Sequence, residues 1–262
     1  MHLMSSRHWR HLLFFLLFSL VACRQPKTPT TIDWQPLETG LHYASHSLTA
    51  SAGHSVSLHL LRFDPKRIEL QVVTAKDLNQ PLGSARDFRQ ARHGIAAINA
   101  GYFDPQYRPL GLLVSQGETI SRLRKVDHGI FYIAKDKPGL SHARHWSPPK
   151  QLQFAVECGP RLIVDGQPLT FKPSLHRRTA IGHDQAGLVT IVIASGVIGL
   201  DDLTAFMARP QQAGGLALRG ALNLDGGSST MLELVHGEVE AIVTSAVQVP
   251  VGLVVTRRVS PP

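Results

Sequence analysis

The stretch richest in potential chemistry runs from Ala221 to Leu234, where an apolar segment ends on one carboxylate, Asp225. Gly226 and Gly227 follow it, and three hydroxyl side chains come next. Glycines let backbone N–H groups turn inward as an anion-binding nest, and hydroxyl groups add further donors. The stretch therefore predicts a loop that binds a phosphate or a sugar, with a plain polar turn closed by Asp225 as the alternative.

The single carboxylate limits how such a loop could hold its ligand. Asp225 and a phosphate roughly 4 Å apart would repel each other by about 4 kcal/mol at an effective dielectric constant near 20. We therefore expect Asp225 to lie beside a sugar carbon, a sugar hydroxyl or a bound cation, with the phosphate farther away.

A second polar stretch, Ile98–Pro105, repeats the order of an apolar run, an asparagine and a glycine-containing loop. Asn99 offers an amide that both donates and accepts, and Gly101 leaves space for a ligand. Tyr102 and Phe103 could stack on a sugar ring, or could be core aromatic residues beside a turn. The similarity of the two stretches predicts that two strands deliver two polar loops to one cleft.

Two adjacent arginines, Arg177 and Arg178, are candidates for phosphate contact because a guanidinium presents paired donors. They precede Thr179 and an apolar step that is typical of a strand. Neighbouring residues on a strand face opposite sides, so at most one of the two arginines can point into a given cleft. The alternative is a solvated basic pair.

Glu157 could act as a second carboxylate with Asp225, whereas Cys158 beside it has no neighbour in the sequence that would activate its thiol. The chain contains no nucleophile elbow, zinc-protease motif or phosphate-binding P-loop, and its 14 histidines show no metal-ligand spacing. Metal ligands therefore stay unknown from the sequence, and a divalent cation is possible.

Most of the chain beyond residue 36 has the two-residue alternation of half-buried strands. Asp64-Pro65-Lys66 separates two such strands and predicts a hairpin between them. Only two helices are expected, one capped by Ser84 and one capped by Asp201 or Asp202. Many strands and few helices without regular alternation predict an α+β fold of strand-rich mixed sheets.

The N-terminus has the features of a secretory signal. Residues 1–22 combine two arginines, a short apolar core and small residues near the end. Leu20–Cys23 resembles a bacterial lipobox in which Cys23 is lipidated, and an ordinary signal peptide is the alternative. By resemblance to the sorting of Gram-negative lipoproteins, Arg24 after Cys23 favours the outer membrane, with the protein in the bacterial cell envelope and facing the periplasm. Residues 23–36 are predicted to be a tether, residues 37–257 the folded domain and residues 258–262 a tail.

Charge and cysteine content indicate which partners the protein can bind and whether its fold can rely on disulfides. The formal charge of +8 falls to +6 once Arg7 and Arg10 leave with the signal, which suits anionic envelope surfaces. No lysine-rich tract, zinc-finger spacing or aromatic–basic alternation suggests a nucleic-acid partner. After lipidation of Cys23 only Cys158 remains, so the fold is expected to rest on its core without an internal disulfide.

Five pieces in order resemble the phosphodiester glycosidase family, namely INAGYF, HGIFYIAKD, ECGPRLIVDGQPL, RRTAIG and ALNLDGGSSTML. They span Ile98 to Leu232, about half of the chain. The resemblance implies a mixed α+β domain with a surface active-site cavity. Two places depart from the family pattern. Ser228 stands where a third glycine is frequent, and Glu157-Cys158 replaces the more usual glutamine and small residue.

The resemblance implies cleavage of a sugar–O–phosphate diester at the anomeric C–O bond, which yields a free sugar and a phosphomonoester. It also favours Arg178 over Arg177 as the inward residue. The substrate would be a glycosyl phosphodiester or an envelope glycan. The catalytic candidates are Asp225, Arg178, Asn99 and Glu157. The substrate-binding candidates are Gly101, Tyr102, Phe103, Gly159, Thr179, Gly226, Gly227, Ser228, Ser229 and Thr230.

Two other functions remain open at this level. In a metal-assisted phosphodiesterase, Asp225 would bind the metal and the P–O bond would break, so the products would be a sugar 1-phosphate and an alcohol. In a non-catalytic lipoprotein, the same loops would bind envelope polysaccharide without turnover. The identity of the products separates the first from a glycosidase, and saturable binding without turnover would identify the second.

Overall fold

The computed structural model describes residues 31–258, which form three β-sheets and carry two α-helices. The predicted signal of residues 1–22, the lipidation site Cys23 and most of the predicted tether lie outside the described residues. The first strand begins at Gln35, inside the predicted tether. Just before it, Trp34 lies against Arg62, whose guanidinium carbon is 4.1 Å from the ring centroid. Within residues 31–258, no helix is long and apolar enough to cross a membrane.

The strands are short and follow one another closely along the chain. In chain order they are β1 (Gln35–Glu38), β2 (Leu41–Thr49), β3 (Ser55–Phe63), β4 (Ile68–Thr74), β5 (Ala96–Asn99), β6 (Leu113–Ser115), β7 (Glu118–Ser121), β8 (Gly129–Ala134), β9 (Lys137–His142), β10 (Leu152–Cys158), β11 (Arg161–Val164), β12 (Gln167–Pro168), β13 (His176–Asp184), β14 (Val189–Ile198), β15 (Leu218–Asn223), β16 (Leu232–His236), β17 (Val239–Val243) and β18 (Val251–Arg257). The helices are α1 (Ala85–Ala91) and α2 (Leu200–Ala208).

The first sheet has eight strands in the order β1-β2-β3-β14-β13-β15-β11-β12. The second has the order β7-β6-β10-β8-β9, and the third has the order β17-β16-β5-β18-β4. The strand-rich α+β class predicted from the sequence is confirmed. All strand pairs in the described part of the chain are antiparallel, whereas mixed sheets were predicted. Parallel neighbours need long, usually helical crossovers, and two short helices provide few of these.

The predicted hairpin around Asp64-Pro65-Lys66 is wrong, although the turn itself is present. The Asp64 carbonyl accepts hydrogen bonds from the N–H groups of Arg67 and Ile68, at 2.9 and 3.0 Å. β3 then pairs with β2 and β14 in the first sheet, while β4 pairs with β18 in the third. The turn therefore passes the chain from one sheet to another instead of folding it back on itself.

The two helices agree with the sequence to different degrees. Ser84 caps α1 as predicted, because its hydroxyl accepts from the Asp87 N–H at 3.3 Å and the Asp87 carboxylate accepts from the Ser84 N–H at 2.8 Å. The N-cap of α2 is Gly199 rather than Asp201 or Asp202. Both aspartates lie in the first turn, where their carboxylates accept hydrogen bonds from the backbone of two other loops.

The main hydrophobic core lies where the three sheets meet. It contains Phe63 and Leu222 from the first sheet, Phe131 from the second and Ile98 from the third, each with an exposed fraction of 1% or less. Complete burial of such side chains stabilises the fold by about 1.5–3 kcal/mol each. β5 and β15 both run through this core. The residues that follow these two strands therefore emerge together at its edge.

Candidate active site

The two polar loops predicted from the sequence meet directly. The N–H of Asp225, just beyond β15, donates to the carbonyl of Ala100, just beyond β5, at 3.1 Å. In return, Nδ2 of Asn99 donates to the carbonyl of Asp225 at 2.6 Å. The weak similarity between the two stretches thus corresponds to two strand ends that lie side by side.

Asn99 joins three segments of the site. Besides its bond to Asp225, its Oδ1 accepts from the Thr179 hydroxyl at 2.8 Å and from the Met231 N–H at 3.2 Å. Its Nδ2 also lies 3.4 Å from the carbonyl of Ala100. Asn99 and Thr179 are both fully buried and hydrogen-bonded within the protein. Their place in the structure is to hold the surrounding backbone in position.

The Asp225 carboxylate lies at the surface of this arrangement and is partly buried. Its Oδ1 accepts from the N–H of Gly226 at 2.8 Å. Burial raises the pKa of Asp225, while hydrogen bonding from Ser229 and from the Gly226 N–H opposes that shift. A carboxylate in this environment is less solvated than a surface aspartate and is correspondingly more basic.

The loop after Asp225 is tightly held. A Cβ atom on Gly226 would lie 2.8 Å from the carbonyl oxygen of Arg177, so only glycine allows this approach. A short 3₁₀ turn covers Gly227–Ser229, with Gly227 in the left-handed region at a φ of 60°. The Ser228 carbonyl accepts from the N–H groups of two residues in a neighbouring loop, Ala246 and Val247. Within this loop, the side chains of Ser229 and Thr230 are buried and that of Ser228 is exposed.

The two arginines face opposite ways, as the strand geometry of β13 predicts. Arg177 donates to the carbonyls of Thr230 and Thr244, both at 2.9 Å, and so braces the loop. Arg178 donates through Nη2 to the carbonyl and hydroxyl oxygens of Ser174, both at 2.9 Å. Its Nη1 has no hydrogen-bond partner among residues 31–258, so one arm of the guanidinium is available.

Tyr102 lies near two groups of opposite charge, Asp225 and Arg178. Its hydroxyl donates to the carbonyl of Gly159. Burial is the main cause that raises the pKa of Tyr102; the negative charge of Asp225 raises it further and the positive charge of Arg178 lowers it. Tyr102 is therefore a neutral hydrogen-bonding group close to both Asp225 and Arg178.

A second carboxylate lies beneath this surface. Glu157 is completely buried, and its Oε2 accepts from the N–H groups of Leu112 and Arg124 at 2.8 and 3.0 Å. Its Oε1 is 3.6 Å from Nδ1 of His128, and neither of these two atoms has a hydrogen-bond partner among the described residues. The His128 ring lies against Tyr102 at a centroid distance of 5.7 Å, and its side chain is 23% exposed. His128 therefore connects the buried carboxylate to the surface.

Close backbone packing explains the glycines of this region. A Cβ on Gly101 would lie 2.8 Å from the Glu157 carbonyl, and one on Gly159 would lie 3.1 Å from Cδ2 of His128. Cys158 is fully buried between these glycines, and burial raises the pKa of its thiol. The thiol is thus a packed neutral group, which agrees with its lack of an activating neighbour.

The sequence model described as phosphodiester glycosidase matches residues 92–256, which is more than half of the chain. The chain belongs to the phosphodiester glycosidase family. All site residues described above lie inside the matched range. The family assignment predicted from five short pieces of sequence is therefore confirmed.

Solved structures with the same fold support this assignment. The catalytic domain of zebrafish N-acetylglucosamine-1-phosphodiester alpha-N-acetylglucosaminidase, auto-inhibited by its pro-peptide, superposes with a TM-score of 0.66 at 18% identity. The similarity covers 87% of this chain and 89% of that domain. A hypothetical protein from Synechocystis gives a TM-score of 0.59 at 15% identity, covering 87% of this chain and 64% of that one. At these identities the likeness shows a shared fold.

A curated relative is similar over a shorter segment. The uncharacterised protein YigE of Escherichia coli strain K12 is 32% identical over 93 residues, which is 32% of this chain. The chain spans about a third of the length of that relative, since the match covers 35% of it.

Within this phosphodiester glycosidase domain, the residues singled out from the sequence fall into two groups. Asp225, Tyr102 and the glycine-rich loop are partly exposed and lie together, and the buried Arg178 lies beside them. Phe103 instead packs against the apolar cluster under α1 and lies 6.0 Å from the ring of Tyr107. Among residues 31–258, no group of three or more histidine, cysteine, aspartate or glutamate side chains could hold a metal ion.

His128 and Asn223 belong to the site but were not recognised in the sequence. Nδ2 of Asn223 donates to the carbonyls of Gly159 and Leu224 at 3.0 and 2.7 Å. Both residues lie within the sequence pieces that resemble the family, and that resemblance is the sequence signal that points to them. His128 was one of many scattered histidines, and its pairing with Glu157 appears only once β8 and β10 are paired.

Replacing Glu157 should separate its role as a hydrogen-bond acceptor from its charge. Glu157→Ala leaves the N–H groups of Leu112 and Arg124 without a partner and should lower the free energy of unfolding by roughly 3 kcal/mol. Glu157→Gln keeps an acceptor oxygen there and should cost clearly less. Urea unfolding of both variants measures this difference. Equal destabilisation by the two variants would show that the charge, rather than the acceptor, holds this region together.

Proposed function

We propose that this protein hydrolyses the glycosidic bond of a sugar–phosphate diester and releases a free sugar and a phosphomonoester. The observation that carries this proposal is the presence of two opposite charges near Tyr102: the partly buried Asp225 carboxylate and the buried Arg178 guanidinium, which has one free arm. The family supports the same chemistry, and so does the name of the zebrafish enzyme, which specifies an N-acetylglucosamine-1-phosphodiester.

The leaving group explains why a cation is needed on one side. As the anomeric C–O bond breaks, negative charge develops on the phosphate oxygen that departs. Arg178 can stabilise that charge through Nη1, because Nη2 and Nε are already directed at protein oxygens. The N–H groups of Gly227 and Ser228 have no partner among the described residues and could contribute further donors.

The carboxylate acts on the other side of the broken bond. A glycosidic transition state resembles an oxocarbenium ion. A nearby carboxylate either stabilises this cation directly or acts as a base that activates the attacking water molecule. Asp225 suits this role because burial makes it more basic than an exposed aspartate. Its hydrogen bond with Gly226 holds the carboxylate in place.

His128 and Glu157 are proposed to assist from below. Glu157 is enclosed and cannot touch a substrate, so any role it has in the reaction passes through His128. A carboxylate 3.6 Å behind an imidazole helps to set the orientation of the ring. The exposed edge of His128, beside Tyr102, would then face the departing phosphate as a hydrogen-bond donor.

The proposal is tested by comparing three substrates and identifying the products of each. A glycosyl phosphodiester should be hydrolysed. A nitrophenyl glycoside without phosphate and bis(nitrophenyl) phosphate without sugar should be hydrolysed much more slowly. Hydrolysis of the sugar-free diester at a similar rate would instead support a phosphodiesterase. Saturable binding of the glycosyl diester without turnover would support a binding lipoprotein.

Arg178→Gln should lower kcat/KM toward the glycosyl phosphodiester by about 10²–10³-fold, since it removes a donor that stabilises the developing phosphate charge. Steady-state kinetics on the purified variant measure this loss. Arg92→Gln is the matched control, because Arg92 is an exposed arginine at the end of α1. Wild-type kcat/KM in the Arg178 variant would rule out this role for the guanidinium.

We further propose that the enzyme works in the bacterial cell envelope, anchored by lipid on Cys23 and facing the periplasm from the outer membrane. This proposal rests on the apolar segment, the lipobox-like Leu20–Cys23 and Arg24. The substrate would then be an envelope glycan or a lipid-linked sugar phosphate.

A further inference from the structure

A cavity of about 590 Å³ lies at the opposite end of the first sheet from Asp225. Its lining includes Arg219 and Gly220 at the start of β15, whereas Asp225 follows the end of that strand. Gly220 pairs with His183 near the end of β13, while Arg178 lies near the beginning of β13. Five residues of extended chain separate Gly220 from Asp225, which is roughly 16 Å. The part of the cavity around Arg219 and His183 is therefore distinct from the candidate active site, and Arg161, which pairs with Leu222, is the lining residue nearest to that site.

Four cationic side chains line this cavity: Lys66, Lys137, Arg161 and Arg219. Among the described residues, none of the four forms a salt bridge or donates a side-chain hydrogen bond to the protein. Arginine side chains without protein partners at the wall of a cavity are available for paired hydrogen bonds to an anion.

The aspartates that line the same cavity are mostly occupied. Asp136 forms a salt bridge with Arg258, and its Oδ1 also accepts from Gln153 at 2.7 Å. Asp64 and Asp184 each accept a backbone N–H of their own turn at 2.9 Å. Asp165 is exposed in the tight turn between β11 and β12. Three of the four carboxylates thus have partners within the described part of the protein, whereas Asp165 and the four cations have none.

Two glycines shape the wall around these side chains. A Cβ on Gly166 would lie 3.1 Å from Nη1 of Arg219, so the guanidinium rests on a turn where a side chain would displace it. A Cβ on Gly220 would lie 2.7 Å from Nε2 of His183, so the imidazole occupies the space above that strand. Nδ1 of His183 hydrogen-bonds to the Asp184 carbonyl at 3.2 Å, which leaves Nε2 as an acceptor in the neutral ring.

We propose that this cavity is a binding site for a phosphorylated saccharide. Its volume falls within the range of small-molecule sites, roughly 300–1,000 Å³. Its lining is polar and charged, which suits hydroxyl groups and a dianion rather than an apolar ligand. Arg161 and Arg219 would bind the phosphate, and His183 and the aspartates would accept from sugar hydroxyls. The proposal does not depend on the glycosidase reaction at Asp225.

The test is isothermal titration of the protein with glucose 6-phosphate, inorganic phosphate and glucose. We expect saturable binding of glucose 6-phosphate, at least tenfold weaker binding of inorganic phosphate, and no binding of glucose. Arg219→Gln together with Arg161→Gln should weaken glucose 6-phosphate binding at least tenfold. Arg92→Gln should leave it unchanged.

Two further variants separate a loss of ligand binding from a loss of folding and from binding at the candidate active site. The stem of Arg161 packs so closely over Gly129 that a Cβ there would lie 2.5 Å from its Cγ, so that substitution could disturb the fold. Arg219 is exposed, and Arg219→Gln alone should still weaken binding in a protein with wild-type melting behaviour. Asp225→Asn should bind glucose 6-phosphate as the wild type does. Loss of binding in Asp225→Asn, unchanged binding in Arg219→Gln, or equal binding of inorganic phosphate would each overturn the proposal.

Discussion

Asp225→Asn is expected to lower kcat/KM toward a glycosyl phosphodiester by about 10²–10⁴-fold, the range that one positioned acid–base group contributes. The amide has nearly the same shape, and its oxygen can still accept from the Gly226 N–H. Only the negative charge opposite the reacting sugar is lost. Steady-state kinetics measure the effect, with the exposed Asp33→Asn as the matched control.

The same substitution should not weaken the fold, and the pH dependence of melting tests this. Because burial raises the pKa of Asp225, the folded chain binds this proton more tightly than the unfolded chain does. The resulting stability is present at low pH and is lost as pH rises through the folded pKa. Asparagine has no such dependence, so the Tm of the variant relative to wild type should increase as pH is raised through the acidic range. A wild-type kcat/KM in Asp225→Asn would show that Asp225 takes no part in the reaction.

Asn99→Ala is expected to lower the free energy of unfolding by about 3 kcal/mol or more and to abolish activity with it. The substitution leaves the Thr179 hydroxyl, the Met231 N–H and the Asp225 carbonyl without partners inside the protein. Each unpaired buried group costs about 1–3 kcal/mol. Urea denaturation measures the loss, and kinetics below the unfolding transition measure the activity that remains.

Asn223→Ala provides the matched comparison, because Asn223 is also a buried asparagine at a strand end. It donates two hydrogen bonds, but its Oδ1 has no partner among the described residues. It should therefore destabilise less than Asn99→Ala. If the two variants lose the same free energy, the network around Asn99 does not hold the loops together as described.

The sequence predicts the local features of the site better than its long-range contacts. Glycines followed by hydroxyl side chains identify the loop after Asp225, and the alternation along β13 predicts that Arg177 and Arg178 diverge. These properties depend on residues close together in the chain. The capping of α1 by Ser84 is local in the same sense, and it too is confirmed.

Features that depend on distant partners could not be predicted in the same way. The alternation of β3 and β4 is correct, but nothing in either strand specifies that β4 pairs with β18. Asn99 has the chemistry of a substrate ligand, and its burial against Thr179 emerges only from the packing of three segments. The pairing of Glu157 with His128 likewise requires the register between β10 and β8.

The central claim, cleavage at the anomeric C–O bond, is tested most directly by hydrolysis in water labelled with ¹⁸O. The purified protein is incubated with a glycosyl phosphodiester, and both products are examined by mass spectrometry. The proposed reaction places the label in the free sugar and leaves the phosphomonoester unlabelled. Label in the phosphate group, either of a sugar 1-phosphate released with an unlabelled alcohol or of a phosphomonoester released with an unlabelled sugar, would show that a P–O bond is broken and would contradict the proposed function.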